Sequence, residues 1–115
     1  MSRPISKKLL VHSVIAREVK GRDADRNVLY GEPFEVFNVR VERVNAHIIG
    51  ANGVTDADTL TLFVDARNSY YDNFIPFVPV EQMRIDFAGN IYHIRVVREL
   101  FGDSNEVHHY EAELT

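Results

Sequence analysis

Regular alternation of apolar and polar residues is the feature that most limits how this chain can fold. Between Phe37 and Glu42, the odd-numbered positions are apolar and the even-numbered positions are polar. The same period of two returns in residues 60–66, 92–97 and 109–114. A period of two places every second side chain on one face of a β-strand, whereas a helix has a period near 3.6. Half-polar strands of this kind predict antiparallel sheets with one face in solvent.

Three local patterns add detail to this prediction. Residues 9–19 begin apolar on both faces and are rich in β-branched side chains, which favours one long central strand. Residues 85–97 contain two alternating runs on either side of Ala88-Gly89-Asn90, and glycine and asparagine tolerate the positive φ of a tight turn. The sequence therefore predicts a hairpin there. In the run that begins at Phe37, the apolar positions are odd-numbered up to residue 41, but the next apolar residue is Val44. We therefore expect a β-bulge near residues 42 and 43, which would restore the inward face.

The remaining segments predict connections and a single domain. Residues 20–33, 50–58 and 68–79 are polar or irregular and predict long loops, and Pro79 to Met83 fits one short helical turn. We therefore expect an all-β fold, or a mainly β fold with that one turn. Its five to seven strands would form a small antiparallel barrel or sandwich, with residues 1–115 as one domain.

Composition and charge exclude several functional classes. The sequence has no cysteine, which excludes disulfides, thiolate zinc sites and cysteine nucleophiles. No run approaches the roughly 18 apolar residues of a membrane span, so we expect no membrane partner. Residues 1–26 hold seven basic and three acidic residues, whereas residues 27–115 hold six basic and fourteen acidic residues. This asymmetry suggests contact with a differently charged neighbour, and the acidic majority disfavours tight duplex binding.

No spacing of residues in the sequence predicts a catalytic, metal or cofactor site. The five histidines, which are His12, His47, His93, His108 and His109, show no metal-ligand spacing, and the last two are adjacent on what would be opposite strand faces. Glu111 and Glu113 share one face, as Asp56 and Asp58 would in a strand, and we interpret the first pair as an exposed edge facing Lys or Arg. Nucleophile and phosphate-loop motifs are absent from the sequence. We therefore expect no catalytic, metal or cofactor-binding residue and no small-molecule substrate.

The sequence alone does not explain why one predicted loop is rich in large apolar side chains. Large apolar side chains crowd residues 70–77, and the candidate interface or channel residues are Tyr70, Tyr71, Phe74, Ile75 and Phe77. They could cover the domain's own core, contact a neighbouring subunit, or stack on single-stranded bases. Stacking on bases requires interleaved cations, and the nearest charged residues are Arg67, Asp72 and Glu81.

Several segments, taken in order, are similar to a known family. They are residues 8–14 (KLLVHSV), 38–42 (NVRVE), 62–69 (LFVDARNS), 85–94 (IDFAGNIYHI) and 108–114 (HHYEAEL). Together they resemble the minor capsid proteins of tailed phages and prophages, and the resemblance covers nearly the whole chain.

The resemblance implies a small β-barrel of the head–tail connector, of the stopper or head-completion type. Such a protein would form a ring, contact the portal or adaptor ring and the tail terminator, and retain packaged DNA until the tail docks. It would assemble in the bacterial cytoplasm and end in the neck of the virion, without catalytic residues. The alternatives are a tail-terminator or tail-tube protein, a barrel that binds single-stranded nucleic acid, and an enzyme of unrecognised type.

Overall fold

The computed structural model describes residues 5–50 and 53–115, with the backbone alone at residues 45–50 and 53–58. The strands are β1 (His12–Arg17), β2 (Val19–Arg22), β3 (Val28–Tyr30), β4 (Phe34–Gly50), β5 (Gly53–Asp65), β6 (Tyr70–Tyr71), β7 (Ile75–Pro76), β8 (Arg84–Phe87), β9 (Asn90–Phe101) and β10 (Val107–Leu114). The described residues contain no helix.

Six of these strands close into an antiparallel barrel in the order β1-β8-β9-β10-β5-β4. The barrel closes because β1 pairs on both of its edges: Ala16 lies opposite Ile85 of β8 and opposite Phe34 of β4. Closure removes the open edges that would otherwise invite aggregation. The predicted all-β antiparallel fold is confirmed.

The inward-facing residues of the barrel form one core. Its fully buried members include Val14, Ala16, Val36, Val39, Leu62, Val64, Ile85, Ile94 and Ala112. Most sit at the apolar positions of the alternating runs, as the period of two requires. Each buried Val, Leu or Ile side chain contributes about 1.5–3 kcal/mol relative to exposure.

The β-bulge of β4 lies earlier than the sequence suggested. Between its pairs with His12 and Val14, β4 gains one residue, and Asn38 in this interval has a φ of +57°. Along β5, by contrast, β4 pairs without a register shift from Val39 to Gly50, so the bulge expected at residues 42–43 is wrong. The change of phase after residue 42 instead marks the end of the core, because Arg43 and Val44 are exposed.

A second β-bulge, in β9, changes which side chains of that strand face the core. Leu114 of β10 pairs with Ile94, but Glu113 pairs with Val96, so Arg95 is the extra residue. Consequently Val97 packs against the core, although an unbroken alternation from Tyr92 and Ile94 would place Val96 there. The bulge also leaves Arg95 on the outer face of the barrel, where it meets Glu113.

Several predicted loops contain paired strands. Within residues 20–33, β2 and β3 form a small hairpin with its own two-stranded sheet. Within residues 68–79, β6 pairs with β4 and with β7. The expected helical turn at residues 79–83 is a β-turn, in which the Met83 amide donates to the Val80 carbonyl at 3.2 Å. The strand expected over residues 9–19 is shorter and begins at His12, after a turn at residues 7–9.

The longest departure from the prediction lies at residues 50–58. Residues 53–58 continue β5 and pair with residues 45–50 of β4, although β10 stops pairing with β5 at Leu60. We call residues 44–50 and 53–59 the β4–β5 arm. The radius of gyration is 15.5 Å, whereas a compact chain of this length has about 13 Å. The arm therefore extends beyond the barrel.

Candidate interaction surface

The aromatic segment of residues 70–77 is held at its start by the buried carboxylate of Asp65. This side chain is fully buried and accepts hydrogen bonds from the backbone amides of Arg67 at 2.9 Å and Asn68 at 2.7 Å. It also accepts one from the amide of Ile5 at 2.8 Å, which attaches the N-terminal segment to the same turn. A carboxylate with several backbone donors fixes the turn that leads into β6.

Ser69 and Asn38 complete this anchor. The Ser69 hydroxyl accepts from the Asp65 amide at 2.9 Å and donates to the Asn38 carbonyl, next to the bulge of β4. The Asn38 side chain in turn donates to the Asn68 carbonyl at 3.1 Å. At the far end of the segment, the Phe77 amide donates to the Ser69 carbonyl at 3.2 Å. Both ends of the aromatic segment are thus fixed to one buried turn.

The segment divides into a buried part and an exposed part. Phe77 is only 2% exposed and is the largest fully buried side chain among those that the structure describes. Its ring lies 6.2 Å from that of Phe34 and 6.4 Å from that of Tyr71, measured between centroids. Phe77 and Tyr71 therefore serve the domain's own core at the end of the barrel.

The outer part is a run of three aromatic rings, Phe37, Tyr70 and Phe74, which we call the aromatic ladder; the first two are half-buried and Phe74 is exposed. The Phe37 and Tyr70 rings stack with centroids 5.3 Å apart, and those of Tyr70 and Phe74 lie 4.7 Å apart. Phe74 is 77% exposed and has a φ of +58°, a strained conformation for a bulky residue. Exposed Ile75 follows it. Strain combined with apolar exposure is typical of a binding surface.

Beside the ladder lies an open groove of about 530 Å³, which we call the acidic groove. Its charged lining residues are Glu18, Lys20, Glu32, Glu35 and Asp72. Its floor is apolar and includes Phe34, Phe37 and Tyr71. Four carboxylates against one ammonium group give the groove a net negative charge, and Lys20 is already paired with Glu18 at 3.3 Å. The arrangement suits a partner that is cationic and partly apolar.

The structure brings together four of the five residues singled out from sequence. Tyr70, Phe74 and Ile75 lie on the exposed side, and Tyr71 lies between groove and core. Phe77 alone is buried away from any partner. Sequence analysis missed Phe37, because its place in an alternating strand made it look like an ordinary core position.

The histidines and carboxylates do not converge on a chemical site. Among the described residues no group of three or more His, Asp or Glu side chains could hold a metal ion, and the side chains of His47, Asp56 and Asp58 lie outside that part. His12 Nδ1 accepts from the Val41 amide at 3.0 Å, which is a structural role. His109 lies 3.3 Å from Glu111.

Glu113 differs from its predicted setting. β10 lies between β5 and β9 and is not an edge strand, and Glu113 is mostly buried on its outer face. Arg98 binds this carboxylate at 2.7 Å, and Arg95 binds its other oxygen. The Arg98 hydrogen bond, followed by that of Arg95, holds the pKa of Glu113 below its usual range against the opposing effect of burial. The expected arginine partner is therefore present, and its role is to pin β9 to β10.

Comparisons with known proteins identify the family of the chain. In the described part of the chain, no helix is long and apolar enough to cross a membrane. A search of the curated proteins found no match, and a search of the solved structures found none either. A family model described as minor capsid protein matches residues 6–114, nearly the whole chain. The chain therefore belongs to the minor capsid protein family of phages and is a structural protein of the virion.

Proposed function

We propose that the protein is a head–tail connector component of the stopper, or head-completion, type. In this role it forms a ring beneath the portal and adaptor, retains packaged DNA, and provides a surface for the tail terminator. The observation that carries the proposal is a closed, rigid barrel from which one paired arm extends, in a chain that belongs to a capsid family. A ring that blocks a channel needs both a stiff wall and an element that reaches inward.

The parts of the molecule divide between these two tasks. The barrel supplies the wall, since its strands are closed and its core is continuous. The β4–β5 arm is the element that reaches toward the channel, because its strands pair with each other beyond the end of β10. The aromatic ladder and acidic groove form the surface that meets a neighbouring protein. The acidic balance of residues 27–115 lets DNA slide past without binding.

The rival role in binding single-stranded nucleic acid is disfavoured by the groove. Base stacking on aromatic rings is accompanied by cations that follow the phosphates. Here the ladder borders four carboxylates, whose field repels phosphate. Tight, salt-sensitive binding of single-stranded DNA by the purified protein would reverse this judgement.

The role is tested with phage particles that lack this protein. We expect such heads to lose their DNA and to remain without tails, and added wild-type protein to restore both properties. DNase-protected DNA and electron microscopy of the neck measure the two outcomes. Heads that keep their DNA and acquire tails without this protein would contradict the proposal.

A shortened arm separates the two tasks. Replacing residues 45–58 by Asn-Gly joins Val44 directly to its cross-strand partner Thr59 through a two-residue hairpin turn. We expect this variant to fold, to enter the neck and to bind tails, while the heads leak DNA. Normal DNA retention with the shortened arm would show that another element closes the channel.

A further inference from the structure

A row of basic side chains crosses the outer face of the barrel on the β1–β8–β9 side. Arg17 pairs across the strands with Arg84, and Arg84 pairs with His93, so the three lie at one level. Their neighbours Ala16, Ile85 and Ile94 are buried in the core, and strand alternation therefore points all three outward. We call Arg17, Arg84 and His93 the arginine row.

The arginine row has more positive charge than its own carboxylates neutralise. Arg84 binds Asp86 through two hydrogen bonds, at 2.8 and 3.1 Å. Arg17 forms no ion pair among the described residues, and its buried Nε has no hydrogen-bond acceptor there. The Asp86 carboxylate interacts with Arg17 as well as with Arg84, and two guanidinium groups that share one carboxylate keep a net positive charge. It is the arrangement expected where a partner supplies the missing carboxylate.

The carboxylates around the row do not bind the Nε of Arg17. Above His93 on β9, Arg95 and Arg98 bind Glu113, and Glu111 lies directly opposite Arg98, so these charges compensate one another. Below it, the side chains of Ile15 and Ile91 lie on either side of Asp86 and are exposed. The row is thus a basic strip with an apolar border.

We propose that the acidic groove and aromatic ladder of one copy bind the arginine row of the next copy. The inference deepens the ring of the proposed function and rests on it, since it names the two surfaces that meet. One chain carries a groove with a net charge of about −3 and a row with a net positive charge, in which Arg17 Nε has no acceptor, and such complementary surfaces attract each other. Exposed Phe74 has apolar counterparts in Ile15 and Ile91, and arginine also packs well on aromatic rings.

The two surfaces are different patches that adjoin at β1, where Ile15 beside the row pairs with Glu35 of the groove. The groove extends from the start of β4 to β6, and the row extends from β1 across β8 to β9. In a head-to-tail contact, each copy uses its groove for one neighbour and its row for the other. Contacts of this kind close into rings when the rotation between copies allows it.

Two charge-reversed variants test the contact. Arg17→Glu with His93→Glu places a carboxylate on each side of Arg84 in addition to Asp86, so the row becomes negatively charged and both surfaces are acidic. Glu32→Arg with Glu35→Arg alters exposed groove residues and makes both surfaces basic. Lys7→Glu with Lys8→Glu, in an exposed turn outside both surfaces, is the matched control. Circular dichroism and thermal melting establish that each variant is folded.

Each variant alone should associate with itself about 100-fold more weakly than the wild type, because like charges now face each other. Mixed in equal amounts at low salt, the two should bind each other, and a chain with all four substitutions should regain self-association. Sedimentation velocity measures all of these states, and added salt should weaken the association. Folded variants that remain separate when mixed would overturn the inference. So would an arginine-row variant that loses DNA binding while its self-association is unchanged.

Failure of the contact between groove and row can be distinguished from failure of the connector role. If the wild-type protein forms a ring on portal–adaptor complexes and the reversed variants form the same ring, then this contact is wrong and the connector role stands. If the wild type does not join those complexes, the connector role fails, while mixing the two variants still decides whether the surfaces bind each other.

Discussion

Phe74 and Phe77 lie three residues apart in the same segment, and the structure assigns them opposite roles. Phe77 is 2% exposed and packs between Phe34 and Tyr71, whereas Phe74 is 77% exposed. The two substitutions Phe77→Ala and Phe74→Ala remove the same atoms from these two environments. They therefore compare core packing with surface function without any change in chemistry.

The expected effects on the free energy of unfolding differ several-fold. Removing a buried phenylalanine side chain costs about 3–5 kcal/mol, because the transfer free energy is lost and a cavity remains. For a domain of this size, that lowers the melting temperature by roughly 10–20 °C. Phe74 buries only about a quarter of its surface. At about 25 cal/mol per Å², this corresponds to about 1 kcal/mol or less.

Thermal and urea unfolding followed by circular dichroism measure both values. We expect Phe77→Ala to be strongly destabilised and Phe74→Ala to unfold within a few degrees of the wild type. Self-association at low salt should be weakened in Phe74→Ala even though this variant is nearly as stable as the wild type, because it lacks the ring that anchors it to the neighbouring copy. Equal destabilisation by the two substitutions would refute the division of the segment into a buried and an exposed part.

Three further predictions concern the barrel. The turn between β8 and β9 has φ values of +51° at Ala88 and +79° at Gly89. Because asparagine tolerates positive φ better than alanine, Ala88→Asn should raise the free energy of unfolding by a few tenths of a kcal/mol, and Gly89→Ala should lower it by about 1 kcal/mol. Equal stabilities of the two variants in urea unfolding would contradict a two-residue turn with positive φ at both positions. The lowered pKa of Glu113 implies a stabilising contribution that is present above the ordinary glutamate pKa and is lost as the pH falls through the lowered value. Glu113→Gln should therefore be less stable than the wild type at neutral pH, and a difference that stays constant down to pH 2 would contradict this. Asp65→Asn keeps one acceptor oxygen but turns an amide group toward backbone donors, so it should cost about 2–4 kcal/mol in urea unfolding, and a loss below 0.5 kcal/mol would show that the anchor is dispensable.

Much of the barrel was predictable because its strands carry a local pattern. A period of two specifies which side chains share a face, and the core residues of β5 and β10 follow it. Closure of the barrel was not predictable in this way, since it depends on β1 pairing with both β4 and β8, far apart in sequence. Alternation also requires a core to face. The β4–β5 arm lies beyond the core, and residues there lost the pattern and looked like a loop.

The candidate surface was only half predictable, for a related reason. Composition showed that the apolar side chains of residues 70–77 need burial or a partner, but it did not show which of them are buried in the core and which are exposed. That choice is made by the buried anchor of Asp65 and Ser69, whose hydrogen bonds join segments up to 60 residues apart. The small β2–β3 hairpin escaped prediction because its short, exposed strands bury too little apolar surface to impose an alternating pattern.

The same anchor connects the fold to the proposed assembly. Asp65 fixes the turn before β6, and Ser69 ties that turn to the bulge of β4 beside Phe37. The aromatic ladder is therefore held by the barrel, and its rings lose little conformational entropy when a partner binds. A preorganised apolar anchor beside fixed carboxylates favours specific contact over adhesion to any apolar surface. For a ring protein this matters, because each copy must accept its neighbour in one orientation for the ring to close.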